Sequence, residues 1–192
     1  MELQKTLIDV YLSQMEDESI PIEKTLAEAI HDPQLFVFSE LLNHPRVGKV
    51  NSVLAEQLRC MAFGTYDEFL QRFEPTDSSV VEKVRTLSVL QFISDNGWTG
   101  LSLTQLGEAT GLSVDPLMGL LMDMKRRGLV DIRINEPKGT VNVTDLHVYR
   151  DVDCRTLPAK IEKFKAYIDH VRSVIENPII HLPPEIVNVF NT

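Results

Sequence analysis

Cysteine and long apolar runs are scarce in this sequence of 192 residues. Its 2 cysteines, Cys60 and Cys154, lie far apart, and Cys60 falls in a helical pattern, where a free cysteine is usually a small buried apolar residue. No apolar run reaches the roughly 20 residues that span a bilayer. The amino-terminal segment also lacks the basic start and apolar block of a signal peptide. We therefore expect an intracellular protein in a reducing compartment.

Catalytic and metal-binding signatures are missing as well. The 5 histidines form neither an H-x-H pair nor the H-E-x-x-H motif of zinc enzymes. The sequence contains no G-x-S-x-G motif, P-loop or dinucleotide fingerprint. Cys154 lies beside Asp151 and Asp153, whose negative charges disfavour a reactive thiolate. We therefore expect no catalysis by this chain, no metal site and no cofactor.

The sequence does contain a succession of amphipathic helices. Apolar residues recur at helical spacing, and turn residues separate the segments. The predicted helices span residues 3–15, 21–30, 35–42, 50–63 and 78–94, with a short helix after Thr65. Consecutive antiparallel helices with short connections describe a right-handed helical-repeat stack, which we expect to occupy residues 1–97.

Residues 101–144 follow a different pattern, that of a helix, a turn, a second helix and a hairpin. The second helix carries an apolar stripe that should be buried, formed by Leu117, Leu120, Leu121 and Met124. Apolar and polar residues then alternate over 130–134 and 141–143, which is typical of a two-stranded ribbon with one apolar face. A helix-turn-helix followed by such a ribbon is a winged helix, predicted over residues 98–150.

Winged helices most often place the second helix in a DNA groove, so its outward face bears on that function. This face is formed by Asp115, Gly119, Met122 and Arg126, whereas groove reading needs several Arg, Lys, Asn or Gln side chains. From Asp115 to Arg150 the chain holds six cations and five anions, a net of +1, within a whole chain at −9. That balance is too small for a counterion-release footprint. A nucleic-acid regulator is therefore the disfavoured alternative.

A further helix is predicted over residues 151–177. Its apolar residues follow one another at steps of three and four, the repeat of a helix that inserts among other helices. They are Ile161, Phe164, Ile168, Val171 and Ile175. This seam serves either to dock on other subunits or to fold back on the chain's own core. A proline-containing tail follows at residues 178–192.

Three motifs carry a family resemblance. They are FVFSELL with the turn NHP (36–45), MAFGTYDEFL (61–70) and KVRTLSV (83–89). With them, residues 25–176 resemble the subunit-seven family of the constitutive photomorphogenesis 9 signalosome. That family belongs to the PCI class, which also occurs in the proteasome lid and in a translation initiation factor. Two features differ from the family: Phe63 replaces its tyrosine, and the tail after Pro178 is unlike its longer charged tail.

The resemblance implies a mostly α PCI domain that acts as a non-catalytic scaffold. The complex would be the one that removes a ubiquitin-like modifier from cullins, in cytoplasm and nucleus. Related domains pair the edge of their wing with a neighbouring wing, and the following helix joins a bundle of C-terminal helices. The implied partners are other PCI and metalloprotease-fold subunits in a hetero-oligomer, with no membrane contact. A PCI subunit of the proteasome lid or of the initiation factor is the alternative.

We expect three groups of partner-binding residues. The wing edge, an unpaired strand that can template another strand, comprises Leu129, Val130, Asp131, Ile132, Arg133, Ile134, Thr140, Val141, Asn142, Val143 and Thr144. The seam comprises Ile161, Phe164, Ile168, Val171 and Ile175. The basic helix end, Arg126 and Arg127, either forms a rim contact that sets orientation or is a solvated end that offsets the helix dipole.

Overall fold

The computed structural model describes residues 2–49, 52–74, 77–96, 100–153, 155 and 157–176. This part of the chain is mostly helical, with a small antiparallel sheet of three strands. The helices are α1 (Glu2–Glu16), α2 (Ile22–His31), α3 (Ser39–Leu42), α4 (Val53–Phe63), α5 (Tyr66–Arg72), α6 (Ser78–Asn96), α7 (Leu103–Thr110), α8 (Val114–Arg126) and α9 (Leu157–Glu176). The strands are β1 (Leu101–Ser102), β2 (Val130–Asn135) and β3 (Thr140–Leu146).

Contacts divide the chain into two units, Met1–Asp151 and Val152–Thr192. The first unit holds α1 to α8 and the sheet, so the predicted segments 1–97 and 98–150 both lie in it. The second unit holds α9, within the predicted segment 151–177. The predicted tail, 178–192, lies outside the described residues. Among the helices that the structure describes, none combines the length and the apolar content needed to cross a membrane.

Helix α6 belongs to the centre of the first unit. Its buried apolar residues are Val80, Val84, Leu87, Val89, Leu90 and Ile93. So wide an apolar arc requires neighbours on more than one side, and α6 packs against α2, α5 and α7. The helices before α6 and the module after it therefore share one hydrophobic core.

In this unit, four cationic side chains donate hydrogen bonds to carbonyls at the carboxyl ends of helices that lie far from them in the sequence. The last carbonyls of a helix have no intrahelical donor and carry partial negative charge, which a cation compensates. Arg46 donates to the carbonyl of Met15 in α1 at 2.6 Å, and Lys83 serves the end of α2 in the same way. The Nε–H of Arg85 donates to the carbonyl of Thr110, the last residue of α7. Arg150 donates to carbonyls at the end of α4.

Helix α3 is shorter than the sequence predicts, since it begins at Ser39 rather than at residue 35. The carboxamide of Gln4 donates to the carbonyl of Gln34 at 2.6 Å and accepts the N–H of Phe36 at 2.9 Å. These two bonds hold the preceding segment in a non-helical conformation. Their partner lies about thirty residues away in the sequence, so helical periodicity alone could not reveal the later start.

The sheet has the strand order β1–β3–β2, so the predicted two-stranded ribbon lacked one strand. Strand β1 is the two-residue segment Leu101–Ser102, which pairs with Val141 and Thr140 of β3. The sequence placed these residues in a helix, which instead begins at Leu103 with Ser102 as its N-cap. A strand of two residues shows no alternation that could distinguish it from a helix start.

Candidate docking surfaces

Strand β2 is an outer strand of the sheet. It pairs with β3 along one side, and among the described residues no strand pairs with its other side. An outer strand leaves a row of backbone N–H and C=O groups without ladder partners, where another strand can add. This row runs along the part of the predicted wing edge that β2 supplies.

Side chains of the predicted wing edge alternate between core and surface. The buried ones are Leu129, Val130, Ile132, Val141 and Val143. The exposed ones are Asp131, Arg133 and Thr144, whereas Ile134, Thr140 and Asn142 are half-buried. Because the chain's own core already uses the apolar face, a partner strand would meet the main chain of β2 and polar side chains.

Two features narrow the accessible edge. Thr140 and Val141 pair with β1 on the far side of β3, so they do not lie on an open edge, contrary to the prediction. A register shift separates Asp131 from Ile132, and the Lys125 ammonium donates to the carbonyl of Ile132 at 3.2 Å. Bulges and lysine side chains are devices that protect sheet edges. The part of β2 without such protection is residues 133–135.

A charged cluster on the same strands was missed by the sequence reasoning. Asp131 and Asp145 are cross-strand partners, and like charges in that position are unfavourable. His147 lies between them, with Nε2 3.2 Å from the Asp131 carboxylate and Nδ1 3.6 Å from that of Asp145. Together these exposed groups offer three possible cation ligands within 4.8 Å of one another. No local motif marks them, because Asp131 lies on β2 whereas Asp145 is near the end of β3 and His147 follows that strand.

The outward face of α8 presents apolar groups where a DNA-reading helix presents donors. Val114 is 51% exposed and Met122 is 56% exposed. The Arg126 side chain remains 80% exposed and forms an ion pair with Asp123 one turn earlier. Base edges are read by hydrogen-bonding side chains, and this exposed arginine has a carboxylate beside it.

Arg127, in contrast, is engaged inside the chain. Its guanidinium donates to the carbonyl of Pro33 and lies 5.5 Å from the ring centroid of Phe36, in cation–π contact. A second ion pair joins it to Asp123 at 3.6 Å. These contacts leave 30% of the side chain exposed, so Arg127 joins the end of α8 to residues 33–36. This use differs from the predicted rim contact.

Helix α9 presents apolar side chains to solvent. Of the predicted seam, Ile161 is 45% exposed, Phe164 is 64% exposed and Ile168 is 37% exposed. The side chains of Val171 and Ile175 lie outside the described residues. The three described residues follow at steps of three and four, so they lie along one face of the helix.

Comparison with models of known protein families gives no match, and comparison with curated proteins gives none either.

Proposed function

We propose that this chain is a non-catalytic assembly subunit of the PCI class. In this proposal it belongs to the constitutive photomorphogenesis 9 signalosome, which removes a ubiquitin-like modifier from cullins, and acts in cytoplasm and nucleus. The open side of β2 carries the proposal, because a subunit that joins others by strand addition needs such an edge. The partners would be PCI and metalloprotease-fold subunits.

The order of elements supports the architecture behind this proposal. The succession α6, β1, α7, α8, β2, β3 is that of a winged helix, and short helices precede it. A PCI domain combines a helical stack with such a module and a following helix, the place that α9 takes in the sequence.

The three resemblance motifs also contact one another in the fold. Lys83 of the third motif lies 4.9 Å from the ring centroid of Phe38 in the first. Arg85 of the third motif donates to the hydroxyl of Tyr66 in the second at 2.9 Å. These contacts join α6 to the helices before it, which supports a shared architecture rather than a shared catalytic site.

The apolar face of α9 supports a docking role for that helix. Exposed apolar side chains that line up along one face mark an interaction surface more often than isolated ones. Phe164, at 64% exposure, is the most accessible large apolar side chain of the described seam. A helix with this 3–4 spacing is suited to insertion among helices of other subunits.

The open edge can be tested with a lysine that blunts it. Ile134→Lys places a charge beside the unprotected part of β2, where lysine discourages strand addition. Because Ile134 also packs against the core, circular dichroism first checks that the variant is folded. We expect the tagged variant to lose its PCI partners in pull-downs followed by mass identification. Leu70→Lys is the matched control, since Leu70 is 40% exposed on α5. Equal recovery of partners by both variants would mean that β2 is not the pairing edge.

The seam is tested separately by two charges on its exposed face. The double variant Phe164→Asp/Ile168→Asp should remain folded, as judged by circular dichroism, and lose its partner subunits. Ala159→Asp/Ala166→Asp carries the same added charge on other faces of α9 and should retain them. Assembly of the seam variant would show that the assignment is wrong, and its unfolding would show that the helix packs within the chain.

The co-purified proteins decide between the proposal and its alternatives. Signalosome subunits support it, whereas proteasome-lid or initiation-factor subunits would assign the same architecture to another machine. Strong retention on heparin with a steep salt dependence would instead favour a nucleic-acid regulator. The exposed apolar groups of α8, such as Met122, make that outcome unexpected.

A further inference from the structure

A cavity of about 250 Å³ lies where the start of α5 meets α6 and α7. Phe92 of α6 and Ala109 of α7 supply apolar wall, and Asp67 and Asp95 line the cavity as exposed residues. The volume is below the roughly 300–1,000 Å³ of a site for a drug-sized molecule. A site of this size accommodates one or two amino-acid side chains.

Two buried polar groups that line this cavity lack hydrogen-bond partners among the described residues. Arg150 is 8% exposed, and its Nη1 has no acceptor, although Nη2 donates to the carbonyl of Met61 at 2.7 Å. Ser88 is 6% exposed, and its hydroxyl is also unpartnered. Most buried polar groups in native proteins are satisfied. Both residues line the cavity, although these two atoms have almost no accessible surface. A small shift of either side chain would bring its donor to a hydrogen-bond acceptor in the cavity.

The surrounding charge decides which acceptor fits. The Arg150 guanidinium already has the Asp151 and Asp95 carboxylates within electrostatic reach, and the exposed Asp67 adds another negative charge. An anionic ligand would be repelled by these groups, whereas a neutral carbonyl oxygen would not. The exposed Asp67 and Asp95 carboxylates attract a cation at the mouth of the cavity.

We propose that this cavity binds a short peptide segment of a partner protein in which an apolar residue stands next to lysine or arginine. The apolar side chain would contact Phe92 and Ala109, a backbone carbonyl would accept from Arg150, and the cationic side chain would meet the rim carboxylates. The site uses neither β2 nor α9, so it does not depend on the proposed assembly function.

The test uses the full chain and two fluorescein-labelled peptides. One contains Ala-Lys-Leu-Lys-Ala, and the other has glutamate in place of both lysines. By fluorescence anisotropy we expect the lysine peptide to bind at least about tenfold more tightly. Ala109→Leu fills the cavity and should weaken that binding by a further factor of about ten. Ala27→Leu, in half-buried surroundings on α2, is the matched control and should bind as the unchanged chain does.

A rim variant keeps the proposal testable even if the filled cavity impairs folding. Asp67→Asn/Asp95→Asn alters exposed side chains only, and it should remove the preference for the lysine peptide. Three results would overturn the proposal. They are absence of binding by both peptides, equal binding of the two by the unchanged chain, and a preference that survives the rim variant.

Discussion

Lys83 of α6 donates from Nζ to the carbonyl of Asp32, one residue beyond α2, at 2.6 Å. The same ammonium reaches the carbonyls of Ala29 and Ile30 at 2.9 and 3.0 Å. Lys83 is 6% exposed, so this charge is almost wholly removed from water. Lys83 of α6 thus supplies hydrogen-bond donors to the last carbonyls of α2, and removing its ammonium group from water costs substantial free energy.

The first prediction concerns stability against pH. Burial lowers the pKa of Lys83 from 10.5 to about 7, against an opposing effect of the Asp32 carboxylate. Between these two values the unfolded chain holds a proton that the folded chain has released, so this group makes the folded state more stable as pH rises. We compare the unchanged chain with Lys83→Met by urea denaturation. Between pH 7 and 9 the free energy of unfolding of the unchanged chain should rise, relative to that of the variant, by up to about 1.4 kcal/mol per pH unit.

The control for that prediction is the same substitution at an exposed lysine. Lys24, whose side chain is 69% exposed in α2, should show no such trend when it is changed to methionine. Parallel stability curves for the unchanged chain and Lys83→Met would contradict the assigned role of burial.

The second prediction compares two glycines that share one backbone conformation. Gly111 has φ +63° and Gly128 has φ +67°, so alanine at either position costs about 1–2 kcal/mol of strain. A Cβ at Gly111 would also lie 2.6 Å from Cε1 of Tyr66, whereas one at Gly128 would meet no atom of the described residues within 4 Å. We expect Gly111→Ala to be less stable than Gly128→Ala by about 1–3 kcal/mol in urea denaturation.

Tyr66 has little freedom to move aside, because Arg85 donates to its hydroxyl and lies 5.0 Å from its ring centroid. Equal losses of stability for the two alanine variants would mean that the ring adjusts freely at this junction.

The third prediction concerns the start of α3. The carboxylate of Asp151 accepts the N–H of Phe38 at 2.5 Å and that of Ser39 at 3.2 Å. Asp151→Ala removes both acceptors from a buried site, and we expect a loss of about 1–3 kcal/mol in thermal or urea unfolding. Asp9→Ala, at an exposed residue of α1, should change stability by less than about 0.5 kcal/mol. Similar losses for the two variants would exclude this capping role.

The periodicity of apolar residues predicted those helices that bury a single, regularly spaced apolar face. The stripe of α8 is confirmed, since Leu117, Leu121 and Met124 are fully buried and Leu120 is 8% exposed. The alternation that predicted a ribbon over β2 and β3 is also confirmed by their pairing. These elements were accessible to sequence reasoning because their local spacing and their burial agree.

Elements set by distant contacts were not accessible in this way. The start of α3 depends on Gln4 and Asp151, and β1 exists because two residues meet β3. Asp131, Asp145 and His147 come together only through the pairing of β2 with β3. The cation–π contact of Arg127 requires that folding bring Phe36 near it. None of these partners is marked by a repeat or a local motif.

The sequence by itself determined the mostly helical composition, the position of the sheet and the acidic balance, because those properties follow from residue type and local spacing. Tertiary structure decided which side of the sheet stays open, which arginine is engaged within the chain and where buried donors lack acceptors. The physical reason is that hydrogen bonds and burial depend on the partner that folding brings near, and that partner lies far away along the chain.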